Sequence, residues 1–183
     1  MKLEKTKIEL NAAQYAIERL KKAETYPEMK AAWQDVVSRL EKTWTKAKLE
    51  CAGCVGEPRT LLDTTAATRG SDELLIYLSQ ARHADQHSLE SGTGWGLVMH
   101  IELPAGASVN IDFEKGTVQA QDGDIHVEVA DPIYALIPVV NRGVTFNPPE
   151  QHLESPIKGT EPLTVAEAGF SFYSQLVLEL EQC

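Results

Sequence analysis

A chain of 183 residues with 43% apolar content is long enough to bury one substantial core, and a single domain is expected over 1–183. The formal charge of −10 is uneven: residues 1–50 carry eleven basic and eight acidic side chains, a net +3, whereas residues 51–183 carry six and nineteen, a net −13. So acidic a surface counts against general nucleic-acid binding; DNA is not an expected partner, and RNA could be held only at a local basic site. No apolar run approaches the roughly 18 residues that cross a bilayer, and the opening MKLEKTKIEL lacks the apolar core of a signal peptide, so a cytoplasmic protein with no membrane partner is expected. Three cysteines fit reduced thiols better than a disulfide framework.

In chain order, Leu10, Ala13, Ile17 and Leu20 recur at helical spacing and predict a first helix over about 5–23. Thr25-Tyr26-Pro27-Glu28 is a capping box with proline in the first turn, and Met29, Ala32, Trp33, Val36, Val37, Leu40 and Trp44 continue it as one long apolar stripe. Cys51, Gly53, Gly56 and Pro58 end that helix, and a loop follows. Ser71, with Asp72 and Glu73 behind it, predicts the N-terminus of a third helix that buries Leu74, Leu78, Ala81 and Leu89 and stops at Gly92-Thr93-Gly94.

From Trp95 the period falls to two. Leu97 to Leu103, Val109 to Phe113 and Ile125 to Val129 each alternate apolar and polar residues, with turn signals at Pro104-Ala105-Gly106, Lys115-Gly116 and Asp122-Gly123. This predicts an antiparallel meander with one solvated face; Ile133–Val140, interrupted by Pro138, suits an edge strand. Residues 141–162, with four prolines, read as a long irregular connection. A last helix opens at a second capping box, Thr164 to Glu167, and buries Ala166, Gly169, Phe170, Tyr173, Leu176, Val177 and Leu180. The fold class is α+β: a bundle of about four helices (5–91 and a C-terminal helix, 163–182, returning to it) with a small antiparallel β-meander, 95–146, inserted before the last helix.

The densest chemistry lies in QARHADQHSL, 80–89. Arg82 and His87 lie five positions apart on a helix, about 140° around its axis, so they occupy different flanks of one helix. Across a symmetric dimer an arginine and a histidine from each chain can converge on one cleft, where a guanidinium grips phosphate and an imidazole moves protons near neutral pH. Arg82-His83-Ala84-Asp85-Gln86-His87 resembles the motif of the HEPN superfamily (higher eukaryotes and prokaryotes nucleotide-binding), helical bundles in which an arginine followed by a polar residue precedes a histidine after four to six intervening residues. The resemblance covers about 5–91. It implies a metal-independent ribonuclease, or an inactive relative binding RNA or nucleotide, in a homodimer, with Arg82 and His87 as catalytic residues and His83 and Asp85 beside them. It implies no cofactor. The acidic surface, the sheet and a histidine at 83, where asparagine or aspartate is the commoner neighbour, depart from the family pattern.

Two other readings compete. His83 and His87 at i, i+4 with Cys51 and Cys54 could make a four-ligand zinc set, although the 28 residues between the pairs exceed the compact zinc-finger spacing. Alternatively the chain is a non-enzymatic binding or assembly protein whose sheet or dimer face takes a protein partner or small ligand, with Arg82 and Asp85 paired and both histidines in water. His100 and His126, on the polar side of predicted strands near Glu102 and Glu128, would form a His/Glu cluster if those strands paired. His152 in the proline-rich connection has no assignable site. No phosphate-binding glycine loop, Gly-x-Ser-x-Gly elbow or dinucleotide fingerprint is present.

Overall fold

The computed structural model describes residues 2–87, 93–96, 99–102, 109–112, 117–120, 126–129 and 133–183, with side chains for 2–84 and 134–183. The chain forms two compact units, 1–94 with 134–183, and 95–133.

The first unit is built on α1 (Glu4–Lys21) and α2 (Tyr26–Glu50), which bury Ala13, Ala16, Ile17 and Leu20 against Trp33, Val36, Val37, Leu40 and Trp44. The predicted capping box forms in full: the Glu28 N–H donates to the Thr25 hydroxyl, and the Glu28 carboxylate accepts from the Thr25 N–H.

The segment expected to be a loop is a helix, α3 (Glu57–Ser71). Its sequence hides it because only Leu62 and Thr65 are buried, so no apolar stripe marks it. The hydroxyls of Thr60, Thr65 and Thr68 bond back to the carbonyls four residues earlier. α3 is held by Arg69, which pairs with Glu41 at 2.7 Å and lies over the rings of Trp44 and Tyr173.

Ser71 is therefore the last residue of α3, and the cap of the next helix is Asp72, whose carboxylate accepts the Leu75 N–H at 3.0 Å. This helix, α4 (Glu73–His87), buries Leu74, Leu75, Tyr77, Leu78, Ala81 and Ala84. Leu89 and the expected stop at Gly92-Thr93-Gly94 lie outside the fully described residues.

The last helix, α5 (Pro162–Gln182), packs on α1 and α2. It starts two residues before the predicted Thr164 box, with Glu161 at its N-cap and proline in its first turn; that box does not form, and Glu167 pairs instead with Lys21 at 3.0 Å. Gly169 sits at a close approach: a β-carbon there would lie 2.5 Å from Leu78 Cδ1 and 3.2 Å from Leu40 Cδ1, so a larger residue would have to displace the Leu78 side chain.

In the second unit, β2 (Met99–Glu102) pairs antiparallel with β5 (His126–Val129), and β3 (Val109–Asp112) with β4 (Thr117–Ala120), a nested arrangement among the described residues. β1 (Thr93–Gly96) pairs with β6 (Ile133–Leu136). The turns expected around 104–106, 115–116 and 122–123 fall outside the described residues. Past Pro138 the predicted edge strand resumes as β7 (Val139–Asn141), which pairs with β8 (Val144–Phe146). The expected irregular connection thus holds two short hairpins, β7–β8 and β9 (Gln151–His152) with β10 (Ser155–Pro156). Each turns on two left-handed residues, Arg142-Gly143 and Leu153-Glu154. The second turn has no glycine or asparagine to announce it. Among the described residues no helix is long and apolar enough to cross a membrane.

Candidate functional site

The site begins with how α4 is held. Asp72 accepts the Leu75 N–H and, from the β9–β10 hairpin, the Leu153 N–H at 2.8 Å, and meets His152 Nδ1 at 3.0 Å; Glu73 accepts the Glu150 and Gln151 N–H groups. One turn further on, the buried Tyr77 hydroxyl donates to the Ile137 carbonyl at 2.8 Å, and burial holds that phenol well above its ordinary range. After another turn the Asn141 amide donates to Gln80 Oε1 at 2.7 Å, which fixes the β7–β8 hairpin against the helix. His152, unassigned by sequence, thus belongs to the tether at the start of α4.

Beyond Gln80, α4 and the hairpin enclose a pocket of about 470 Å³, lined from the helix by Gln80, Arg82 and His83 and from the hairpin by Asn141, Arg142, Val144 and Phe146. Among the described residues its polar groups are two guanidiniums, an imidazole and two amides, with no carboxylate. Arg82 Nε is buried and has no hydrogen-bond partner among the described residues. A buried guanidinium N–H left unsatisfied is costly, and the guanidinium that carries it is a group well matched to an anion. Arg142 was invisible to sequence reasoning, because only the fold brings it to α4.

The contrast with the other arginines is sharp. Arg19 pairs with Asp35, Arg39 with Glu9 and Asp35, Arg59 with Asp63, and Arg69 with Glu41. Among the described residues, only the two arginines of the pocket lack a carboxylate partner.

Of the sequence-predicted cluster, Arg82 and His83 stand together in this pocket. His87 lies in the last turn of α4, four residues after His83 and so on the same stripe of the helix. The side chains of Asp85 and His87 lie outside the described residues, and with them the expected Arg82–Asp85 pair.

Cys51 and Cys54 are neighbours at the end of α2; burial, and next the adjoining Cys54, push the Cys51 thiol up to about 11. Among the described residues no group of three or more His, Cys, Asp or Glu is disposed to hold a metal, and His87 of the four-ligand zinc set falls outside them. In the second unit the β2–β5 register sets His100 opposite Glu128 and Glu102 opposite His126, so the expected pairing brings these four positions onto one face of the ladder.

Comparison with protein-family models, with curated proteins and with solved structures gives no match.

Proposed function

We propose that this chain is a HEPN-like RNA-binding protein that acts, as a homodimer, as a metal-independent ribonuclease. The observation that carries the reading is Arg82, which lines a pocket with no carboxylate among its described lining residues and whose buried Nε has no partner among the described residues. Arg82 takes a backbone phosphate, the ligand to which a planar fork of N–H donors is best matched. His87 removes the proton of the ribose 2′-hydroxyl, which attacks the adjacent phosphorus as the P–O5′ bond breaks and the 5′-oxygen takes a proton from water, giving a 2′,3′-cyclic phosphate and a 5′-hydroxyl. Arg82 stabilises the charge that builds on the non-bridging oxygens, and His83 lies in the same pocket as a second imidazole. In the homodimer two α4 ends share one cleft. The acidity of the remaining surface confines RNA to this local site and narrows the substrate.

The test is cleavage of end-labelled RNA in excess EDTA by the wild type and by Arg82→Ala and His87→Ala, each checked for fold and oligomeric state. Wild-type cleavage that falls about 100-fold or more in both variants supports the reading. Equal inertness of all three on several RNAs removes the ribonuclease.

A further inference from the structure

The β7–β8 turn holds Arg142 at φ 52°, in the left-handed region that glycine and asparagine tolerate and other side chains disfavour. The hairpin needs a residue of that conformation there but has no use for a guanidinium. Among the described residues Arg142 makes no ion pair or hydrogen bond that offsets the strain, and it lines the same pocket as Arg82. Strain held at a pocket lining is a pointer to function.

We propose that Arg142 is a second phosphate-binding residue, so that the pocket takes single-stranded RNA through two successive phosphates, one at Arg82 and one at Arg142. The inference rests on the reading of Arg82 as a phosphate ligand. Two guanidiniums lining one pocket, with no carboxylate among its described lining residues, repel each other until anions enter, and a single phosphodiester, with one negative charge, neutralises only one of them. In a chain of net charge −10, the other four arginines have found carboxylates, and among the described residues these two have not. The Gln80–Asn141 bond holds the residue next to Arg142 against α4, so the second cation is positioned before the ligand arrives. Phe146 adds a flat apolar wall on which a base can stack.

The experiment measures binding of a 2′-O-methyl hexauridylate, which cannot be cut through the 2′-oxygen, and of a 2′-O-methyl uridine dinucleotide with one phosphodiester and no terminal phosphate, to the wild type and to Arg142→Gly, Arg142→Lys and Arg82→Ala over a range of salt. Glycine suits the left-handed turn, so Arg142→Gly is expected to melt no lower than the wild type while losing about tenfold in hexamer affinity. Its plot of log affinity against log salt should flatten by about 0.7, the loss of one phosphate contact on a single strand. The dinucleotide, with its single phosphate, should be little affected, and Arg142→Lys should keep part of the hexamer affinity. If Arg142→Gly binds the hexamer like the wild type while Arg82→Ala does not, the role of Arg142 is overturned and that of Arg82 stands. If Arg82→Ala also binds like the wild type, the phosphate reading falls and the inference falls with it.

Discussion

Helix α1 has no cap of its own: Leu3 stands at its N-cap and offers no side-chain bond. The cap comes from the far end of α2, where Glu50 Oε1 accepts the Lys5 N–H at 2.9 Å, and Oε2 accepts the Thr6 N–H at 2.9 Å and the Thr6 hydroxyl at 2.7 Å. A carboxylate at the C-terminal end of α2 opposes that helix's own dipole, so its place is explained by what it does for α1. Glu50→Ala removes the acceptor of three donors. The Lys5 N–H, on an exposed residue, can pass to water, and the lost N-cap costs about 1 kcal/mol. The Thr6 hydroxyl is fully buried and cannot, which adds about 1 kcal/mol. The sum of about 2 kcal/mol should lower Tm by about 4–8 °C for a chain of this size. Burial pushes the Glu50 carboxyl upward, but the bonds from the Thr6 hydroxyl and from the Lys5 and Thr6 N–H groups outweigh it and hold the carboxyl below its ordinary 4.5. A depressed carboxyl stabilises the fold fully above that ordinary value, and the gain is lost as pH falls through the folded-state value. Urea unfolding of the wild type and Glu50→Gln should therefore show a gap near neutral pH that closes as pH falls below 4.5. A gap independent of pH, or no gap at neutral pH, would refute the trans cap.

Asp72→Ala removes the cap of α4 together with the bonds to His152 and Leu153, and should cost about 2–3 kcal/mol. Hydrogen exchange followed by mass spectrometry should show residues 150–156 losing protection ahead of the core helices; equal protection would mean that the hairpin does not depend on Asp72. Cys51, its thiol raised to about 11, should resist iodoacetamide near pH 8 in the folded protein while the exposed Cys183 reacts, and peptide mapping that finds both modified at one rate would contradict the burial argument.

How much of the fold was legible follows from where the apolar residues fall. α1, α2 and α5 each carry a stripe at helical spacing, and Thr25 to Glu28 announced a start that the structure reproduces. α3 carries no such stripe: threonines and Arg69 occupy it, and what holds it is the Arg69–Glu41 pair and the rings of Trp44 and Tyr173, partners 25 or more residues away. Missing α3 moved the start of α4 from Asp72 to Ser71, because both residues are good caps and only the preceding helix decides between them. The prolines of 141–162 read as irregular chain, yet they flank hairpins whose positions are set by Asp72, Glu73 and Gln80, some 60 to 80 residues earlier. Local sequence carries no record of such bonds.

The site was half legible for the same reason. Arg82, His83 and His87 attract notice as a cluster, but their position has a second explanation: basic side chains toward the C-terminal end of a helix complement its dipole, and these three lie in the later turns of the described part of α4. That explanation needs no ligand. It does not extend to Arg142, which lies on another element, in a strained conformation, about 60 residues further along the chain, and still lines the Arg82 pocket. If the basic residues of α4 served only the helix, nothing would favour an arginine with no partner among the described residues over glycine in a two-residue turn beside Arg82, since a second guanidinium raises the local repulsion. Arg142 therefore separates the two accounts. Under the helix-dipole account, replacing it with glycine relieves both strain and repulsion and costs nothing in binding; under the phosphate account the same relief comes with a weaker hold on RNA and a shallower salt dependence.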